Sequence, residues 1–171
     1  VVVAAARVPQ REATEDRVRE AVLMRSDGST QRMRHLALAV SLERSSPGAF
    51  EDLARHFDAA DERDRAARYA VRAGDAAVQA LAFDRAAALY LLAIERARSE
   101  AGSADLYRKL GDALLHAGSN APAGRAYLEA ARRSDGHSAV DLTRRGAEQL
   151  LMVGEVDTGL AAWRKRSTPW A

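Results

Sequence analysis

The sequence predicts an all-α fold built from antiparallel helical hairpins. Of its 171 residues, 38 are Ala and 24 are Arg, and both residue types favour helix. Apolar side chains recur at the spacing of one helix face, and no alternating strand pattern follows residue 30. Small and aromatic residues also recur at matched positions along the chain, which indicates an internal repeat.

The first three predicted helices follow one another closely. Residues 33–44 carry the apolar face of the first helix, which stops at a Ser-Ser-Pro-Gly turn, 45–48. The second helix covers residues 50–57 and is followed by an acidic interruption at 61–62. The third, 63–81, is small and apolar nearly all round, so we expect neighbouring helices on both sides of it.

The later helices are delimited by residues typical of helix ends. Gly118 and Gly154 supply left-handed residues at C-termini, and the last helix ends near Arg166. Residues suited to helix starts are Asp84, Ser103, Asn120 with Pro122, Ser138 with Asp141, and Asp157.

Composition and motifs argue against an enzyme. The chain has no Cys, which excludes disulfides and thiolate metal sites. It has no phosphate-loop motif and only two lysines, Lys109 and Lys165, so we expect no ATP chemistry within it. The four histidines lie at least 21 residues apart, which excludes helical i, i+4 ligand pairs. We therefore expect no catalytic residue, no cofactor and no metal.

Two local patterns have a functional and a structural interpretation. His56 lies near Asp58 and Asp61, an arrangement that suits a carboxylate-assisted site, but we interpret it as an ordinary helix-end histidine. The stretch Asp27-Gly28-Ser29-Thr30 predicts a turn rather than a catalytic loop.

The charge pattern disfavours nucleic acid as a partner. Net charge is +2, and the basic clusters at 132–133, 144–145 and 164–166 have acids nearby and no interleaved stacking aromatics. We expect salt-bridged or solvated helix faces there. The chain also lacks a membrane-length apolar segment and a signal peptide, so we expect a cytoplasmic location and no membrane partner.

Self-comparison reveals three copies of one helical pair. In each copy a small residue of the first helix precedes a small residue of the second by 12 positions, and an aromatic follows four positions later. These triplets are Gly74, Ala86 and Tyr90; Gly111, Ala123 and Tyr127; and Ala147, Gly159 and Trp163. A weaker copy runs from Ala54 to Ala73, and it leaves the register of 63–81 open.

These residues resemble the tetratricopeptide repeat (TPR), whose pattern is W-x2-L-G-x2-Y, then A-x3-F, then P. Ala70 replaces the leading aromatic, the closing Pro is absent, and the copies are 36 to 37 residues apart. The resemblance implies helical hairpins stacked in a right-handed solenoid over residues 31–171. Within it we expect Tyr90, Tyr127 and Trp163 to dominate the stability of the core.

A second resemblance concerns the longer segment ARHFDAADERDRAARYAVRAGDAAVQALAFDRAAALYLLAIERA. It is similar to the start of the helical region in large bacterial signalling ATPases, some of which are fused to eukaryotic-type serine/threonine kinases. The similarity covers roughly residues 15 to 100. Residues 15–22 look like the helix that closes a winged-helix segment, so the resemblance implies that 1–30 are the tail of such an upstream segment.

The TPR resemblance also implies a partner-binding groove, lined by the first helix of each pair. The family's groove positions, carried onto this chain, are Val71, Asp75, Val78, Gln79, Arg108, Asp112, Leu115, His116, Arg144, Glu148, Leu151 and Met152. We expect Arg108 with Asp112, and Arg144 with Glu148, to form i, i+4 pairs.

We therefore expect a non-catalytic scaffold for protein-protein interaction or regulation, belonging to a larger signalling ATPase or kinase. The expected partner is a protein or peptide, including another domain of the parent chain. A free-standing adaptor and an oligomerisation module that self-associates through exposed solenoid ends are the alternatives, and a nucleic-acid-associated transcription regulator is the weakest one.

Overall fold

The computed structural model describes residues 28–97 and 103–166, and all regular secondary structure in these stretches is helical. The all-α prediction is therefore confirmed for this part of the chain. The predicted upstream segment lies outside the described residues, apart from 28–30. In chain order the described helices are α1 Gly28–Ser45, α2 Phe50–Ala59, α3 Arg63–Gln79, α4 Phe83–Arg96, α5 Ser103–His116, α6 Asn120–Arg132, α7 Gly136–Met152 and α8 Val156–Arg166.

Some predicted helix starts differ from those in the structure. Residues 28–30 form the first turn of α1 instead of a separate turn. The N–H groups of a first helical turn have no partner within the helix, so residues typical of turns can also occupy this position. Asp84 lies in the first turn of α4 and not at its N-cap, which is Ala82. The capping box predicted at Ser138 is also wrong, since the N-cap of α7 is Asp135, three residues earlier, and it forms no capping hydrogen bond through its side chain.

Four helices, α2, α3, α5 and α7, end in the same turn. In each, the residue two positions past the helix end is left-handed, with φ of 60° at Asp61, 57° at Leu81, 76° at Gly118 and 81° at Gly154. At the end of α3 the N–H of the left-handed residue donates to the carbonyl three residues back, and the next N–H donates to the carbonyl five residues back. The other three turns repeat this bond pattern, which is the Schellman motif. The glycines at two of these ends confirm the predicted termini.

Extensive packing in the described part of the chain joins consecutive helices, from α1 against α2 through to α7 against α8. The core between them is rich in Ala, and its largest fully buried side chains are Tyr127, Phe57, Leu53 and Leu150. Such a core allows the helices to approach closely, while a few large side chains fill the remaining space.

Glycine and tyrosine meet as the repeat predicts. A Cβ on Gly74 would lie 2.6 Å from Cε1 of Tyr90, and one on Gly111 would lie 2.7 Å from Cδ1 of Tyr127. Both tyrosines are buried. A Cβ at either position would force the buried tyrosine ring to move, so glycine suits these two close contacts.

The same prediction is wrong for Trp163, which is 42% exposed. A Cβ on Gly159 would meet Leu151 Cγ at 3.1 Å and the carbonyl oxygen of Ala147 at 3.2 Å, so Leu151 and not Trp163 covers this glycine. In addition, α8 is the last described helix, and no further described helix packs on it to bury the indole ring.

Helices α6 and α7 approach through a second pair of glycines. A Cβ on Gly124 would lie 2.9 Å from the carbonyl oxygen of Gly146, and a Cβ on Gly146 would lie 2.9 Å from that of Gly124. Backbone therefore packs on backbone at this crossing. Leu128 and Leu150 close the contact on either side.

The face predicted for the first helix is largely exposed. Met33 is 63% exposed and Ala37 is exposed, whereas Ala39 is fully buried on another face of α1. Leu36 and Leu42 pack against the cluster that contains Ala39. The apolar residues of α1 have the predicted helical spacing, but the described residues that pack on α1 contact only some of them. None of the described helices is both long and apolar enough to cross a membrane.

Candidate functional site

The twelve predicted groove positions all lie on α3, α5 and α7, but they differ in exposure. Val71, Val78 and Leu115 are half-buried and pack against core clusters. Asp75, Arg108 and Asp112 are half-buried and form hydrogen bonds within the chain. The exposed members are Gln79, His116, Arg144, Glu148, Leu151 and Met152.

Asp75 on α3 links three helices. Its Oδ1 atom accepts a hydrogen bond of 2.7 Å from the hydroxyl of Tyr90 on α4 and one of 2.8 Å from Nζ of Lys109 on α5. Burial raises the pKa of Tyr90 above its ordinary value, and the hydrogen bond to Asp75 raises it further. The tyrosine therefore keeps its hydroxyl proton to a higher pH than a tyrosine with the ordinary pKa does.

Asp112 repeats this arrangement 37 residues later. Its Oδ1 accepts hydrogen bonds from the hydroxyl of Tyr127 on α6 at 2.8 Å and from Arg145 on α7 at 2.5 Å, while Oδ2 accepts one from Arg108 at 2.9 Å. Arg145 also donates to the Tyr127 oxygen at 2.7 Å, and its guanidinium carbon lies 4.2 Å from the centre of that ring. Burial, followed by the hydrogen bond to Asp112, raises the pKa of Tyr127.

These two networks engage two of the predicted groove residues in contacts within the chain. Asp75 and Asp112 bind the next helical pair and are not available as open polar contacts for a partner. Sequence reasoning missed their basic partners, although Lys109 and Arg145 both lie two positions before the small residue of their copy. Arg72 lies at the same position before Gly74, but its guanidinium stacks over the ring of Phe50 at 4.1 Å.

The predicted i, i+4 pairs are confirmed. Arg108 donates to Asp112, and Arg144 donates to Glu148 at 2.5 Å and to Asp141 at 2.9 Å. The hydrogen bond that Arg108 donates to Asp105 raises the pKa of Arg108, and the hydrogen bonds that Arg144 donates to Asp141 and Glu148 raise the pKa of Arg144.

The other described basic doublet is also paired with acid. Arg132 and Arg133 both contact Glu129, as the sequence-based interpretation of a salt-bridged face predicts. Together with the pairing of Arg144 and Arg145, this leaves no row of free cations along the described doublets. A track for nucleic-acid phosphates would need such a row.

Several exposed apolar side chains follow one another at the end of the described chain, and others lie elsewhere on α1, α4 and α7 or in the turn after α3. Leu151, Met152 and Val153 at the end of α7 are 41%, 71% and 44% exposed, and Val156 at the start of α8 is 48% exposed. Trp163 follows Val156 by seven residues, so both lie on one side of α8. We call these five residues the C-terminal apolar patch.

The described residues contain no group of three or more His, Cys, Asp and Glu side chains arranged to hold a metal ion. No protein-family model matches the chain, and no curated protein matches it.

Proposed function

We propose that this chain is a non-catalytic, TPR-like scaffold, in which helical hairpins stack as a right-handed solenoid and bind a protein or peptide. Contact of each helix with its neighbours in sequence and the Gly-Tyr contacts of two successive pairs support the TPR-like part of this proposal. The binding function depends on one observation, the C-terminal apolar patch. Apolar side chains grouped at a surface are typical of interaction sites.

The partner contacts the α7–α8 end of the groove more than its centre. At the centre, Asp75 and Asp112 are occupied by tyrosine and basic side chains of the chain itself. At the α7–α8 end, Met152 and Leu151 are exposed, and the nearby charges of Arg144 and Glu148 already satisfy each other. A helix or extended segment with apolar anchors suits such a surface better than an anionic tail does.

The partner is a protein segment, and another domain of the parent chain is the candidate that the resemblance to signalling ATPases favours. In that setting the chain is the regulatory part of a larger ATPase or kinase and contributes no catalytic residue. A free-standing adaptor or an oligomerisation module are the alternatives. The C-terminal apolar patch supports an oligomerisation module as well as it supports a different protein partner, because a further copy of the chain can also cover it.

The experiment compares two surface substitutions of equal chemistry. Met152→Asp places a charge in the patch, and Leu91→Asp places one on α4, where Leu91 is 45% exposed. Partners captured by the wild-type chain are identified, and the affinity of each purified partner is measured with both variants. We expect Met152→Asp to weaken binding and Leu91→Asp to leave it unchanged, with both circular dichroism spectra native.

Equal binding by the two variants would mean that the patch is not the binding surface. Light scattering on the same samples distinguishes the oligomerisation alternative. A wild-type dimer that Met152→Asp converts to monomer assigns the patch to self-association instead of a different partner.

A further inference from the structure

Two histidines that are distant in sequence meet between α1 and α2. His35 and His56 are both half-buried, and their Nδ1 atoms lie 2.9 Å apart. The ring centres are 5.2 Å apart, and the ring planes are inclined by 34°. Among the described residues, neither imidazole has another hydrogen-bond partner. This pair is separate from the C-terminal apolar patch and has no part in the proposed function.

A hydrogen bond between two Nδ1 atoms requires one to donate and the other to accept, so at least one ring is neutral. Neutral imidazole is the form that binds metal ions. An ion bound by both Nδ1 atoms replaces the hydrogen bond between them, and the proton of the donor ring is then carried on its Nε2 atom.

The separation of the two nitrogens suits a shared metal ion. Metal-imidazole bonds are about 2.0 to 2.1 Å long. Two such bonds at a right angle place their nitrogens about 2.9 Å apart, and two at a tetrahedral angle place them about 3.3 Å apart. The distance between the two Nδ1 atoms is therefore close to the spacing of two adjacent ligands on one square-planar or octahedral ion, and each ring needs to rotate to direct its lone pair at that ion.

We propose that His35 and His56 form a two-histidine site for a divalent transition-metal ion of the copper, nickel and zinc group, which bridges α1 and α2. The described residues provide no third ligand, so solvent completes the coordination. Such a site is exchangeable, in contrast to closed structural sites with four protein ligands. A metal ion that spans the two helices stabilises their contact, since it binds the folded arrangement better than separated helices.

The site was not expected from the sequence because the two histidines are 21 residues apart. Metal motifs on one helix place ligands three or four residues apart, and that criterion excluded every pair in this chain. Only the antiparallel packing of α1 on α2 brings these two rings together.

Calorimetric titration of the complete, chelator-treated chain with nickel chloride at neutral pH tests the proposal. His35→Gln and His56→Gln each remove one ligand, and His137→Gln, at an exposed position on α7, is the matched control. We expect one ion per wild-type chain and His137→Gln chain, and at least about tenfold weaker binding in the other two variants. Nickel should also raise the melting temperature of the wild-type chain but not of His35→Gln or His56→Gln. Unchanged binding in His35→Gln, or an equal loss in His137→Gln, would overturn the assignment.

A second measurement needs no substitution and so does not depend on the variants being folded. Electron paramagnetic resonance of the wild-type chain with one equivalent of copper(II) reports how many imidazole nitrogens bind the ion. Coupling to two nitrogens is the expected result. A spectrum with no nitrogen coupling, or with one nitrogen, would contradict the two-histidine site.

Discussion

Replacing Tyr127 by Phe tests whether the Asp112 network stabilises the packing of successive helical pairs. The substitution removes only the hydroxyl, so the ring still fills the space beside Gly111. Two hydrogen bonds are lost, one donated to Asp112 and one accepted from Arg145. The ring is fully buried, so neither bond is replaced at Tyr127 itself.

The size of the effect follows from the exposure of the partners. A hydrogen bond to a charged group contributes roughly 1.5 to 3 kcal/mol to stability. The side chains of Asp112 and Arg145 are 31% and 30% exposed, so water and Arg108 compensate them in part. We therefore expect a loss of about 1.5 kcal/mol, which lowers the melting temperature of a chain of this size by roughly 3 to 6 °C.

Tyr90→Phe is the matched comparison. Asp75 is 48% exposed, and its only basic partner among the described residues is Lys109, so the loss there should be smaller. Thermal and urea unfolding, followed by circular dichroism, measure both changes.

A double-mutant cycle with Arg145→Met isolates the network. The two residues contact each other and share Asp112, so we expect a coupling free energy of about 1 kcal/mol. If the free-energy changes of Tyr127→Phe and Arg145→Met add to within about 0.3 kcal/mol, the network contributes nothing beyond its separate parts. The reasoning for both copies would then be refuted.

Four further predictions concern packing, backbone and pH. Leu81→Gly should stabilise the chain by about 0.5 to 1 kcal/mol in urea unfolding, because it relieves a left-handed, 74% exposed leucine; a lower midpoint would contradict this. Gly146→Ala should destabilise by roughly 1 to 3 kcal/mol, because the added methyl meets the backbone of α6; an unchanged melting temperature would refute the close crossing. Tyr127→Ala should cost about 3 to 5 kcal/mol and Trp163→Ala less than about 1 kcal/mol, and equal losses would show that Trp163 is buried. The pKa values of Tyr90 and Tyr127 in the folded chain exceed the ordinary value of 10.0, so the stability that these two hydroxyls contribute should be fully present below pH 10 and be lost as the pH rises above it. An ultraviolet titration in which every tyrosine ionises at pH 10 would disprove this.

Local sequence signals predicted the parts of the fold that depend on one helix or one turn. Gly118 and Gly154 mark helix ends correctly, because only glycine adopts their left-handed backbone without strain. Leu81 occupies the same conformation in the α3 turn, and a leucine gives no such signal. The pairing of Gly111 with Tyr127 was predictable because both residues recur at a fixed spacing.

Features that depend on two distant segments were not predictable in this way. The contact of Gly124 with Gly146 belongs to a crossing between pairs and has no counterpart in the other copies. The meeting of His35 with His56 depends on how α1 lies on α2. Trp163 has the spacing of a core residue, but its burial requires a helix beyond α8, and burial depends on neighbours that a local pattern does not reveal.

The packing of consecutive helices also determines how the chain can reach its native state. The main contacts form between segments that are already close along the chain, so little loop-closure entropy opposes them. Low contact order of this kind is typical of rapid folding, and any adjacent pair of helices can serve as the nucleus. Growth from such a nucleus proceeds one helix at a time, so native structure can accumulate while the remainder of the polypeptide is still being synthesised.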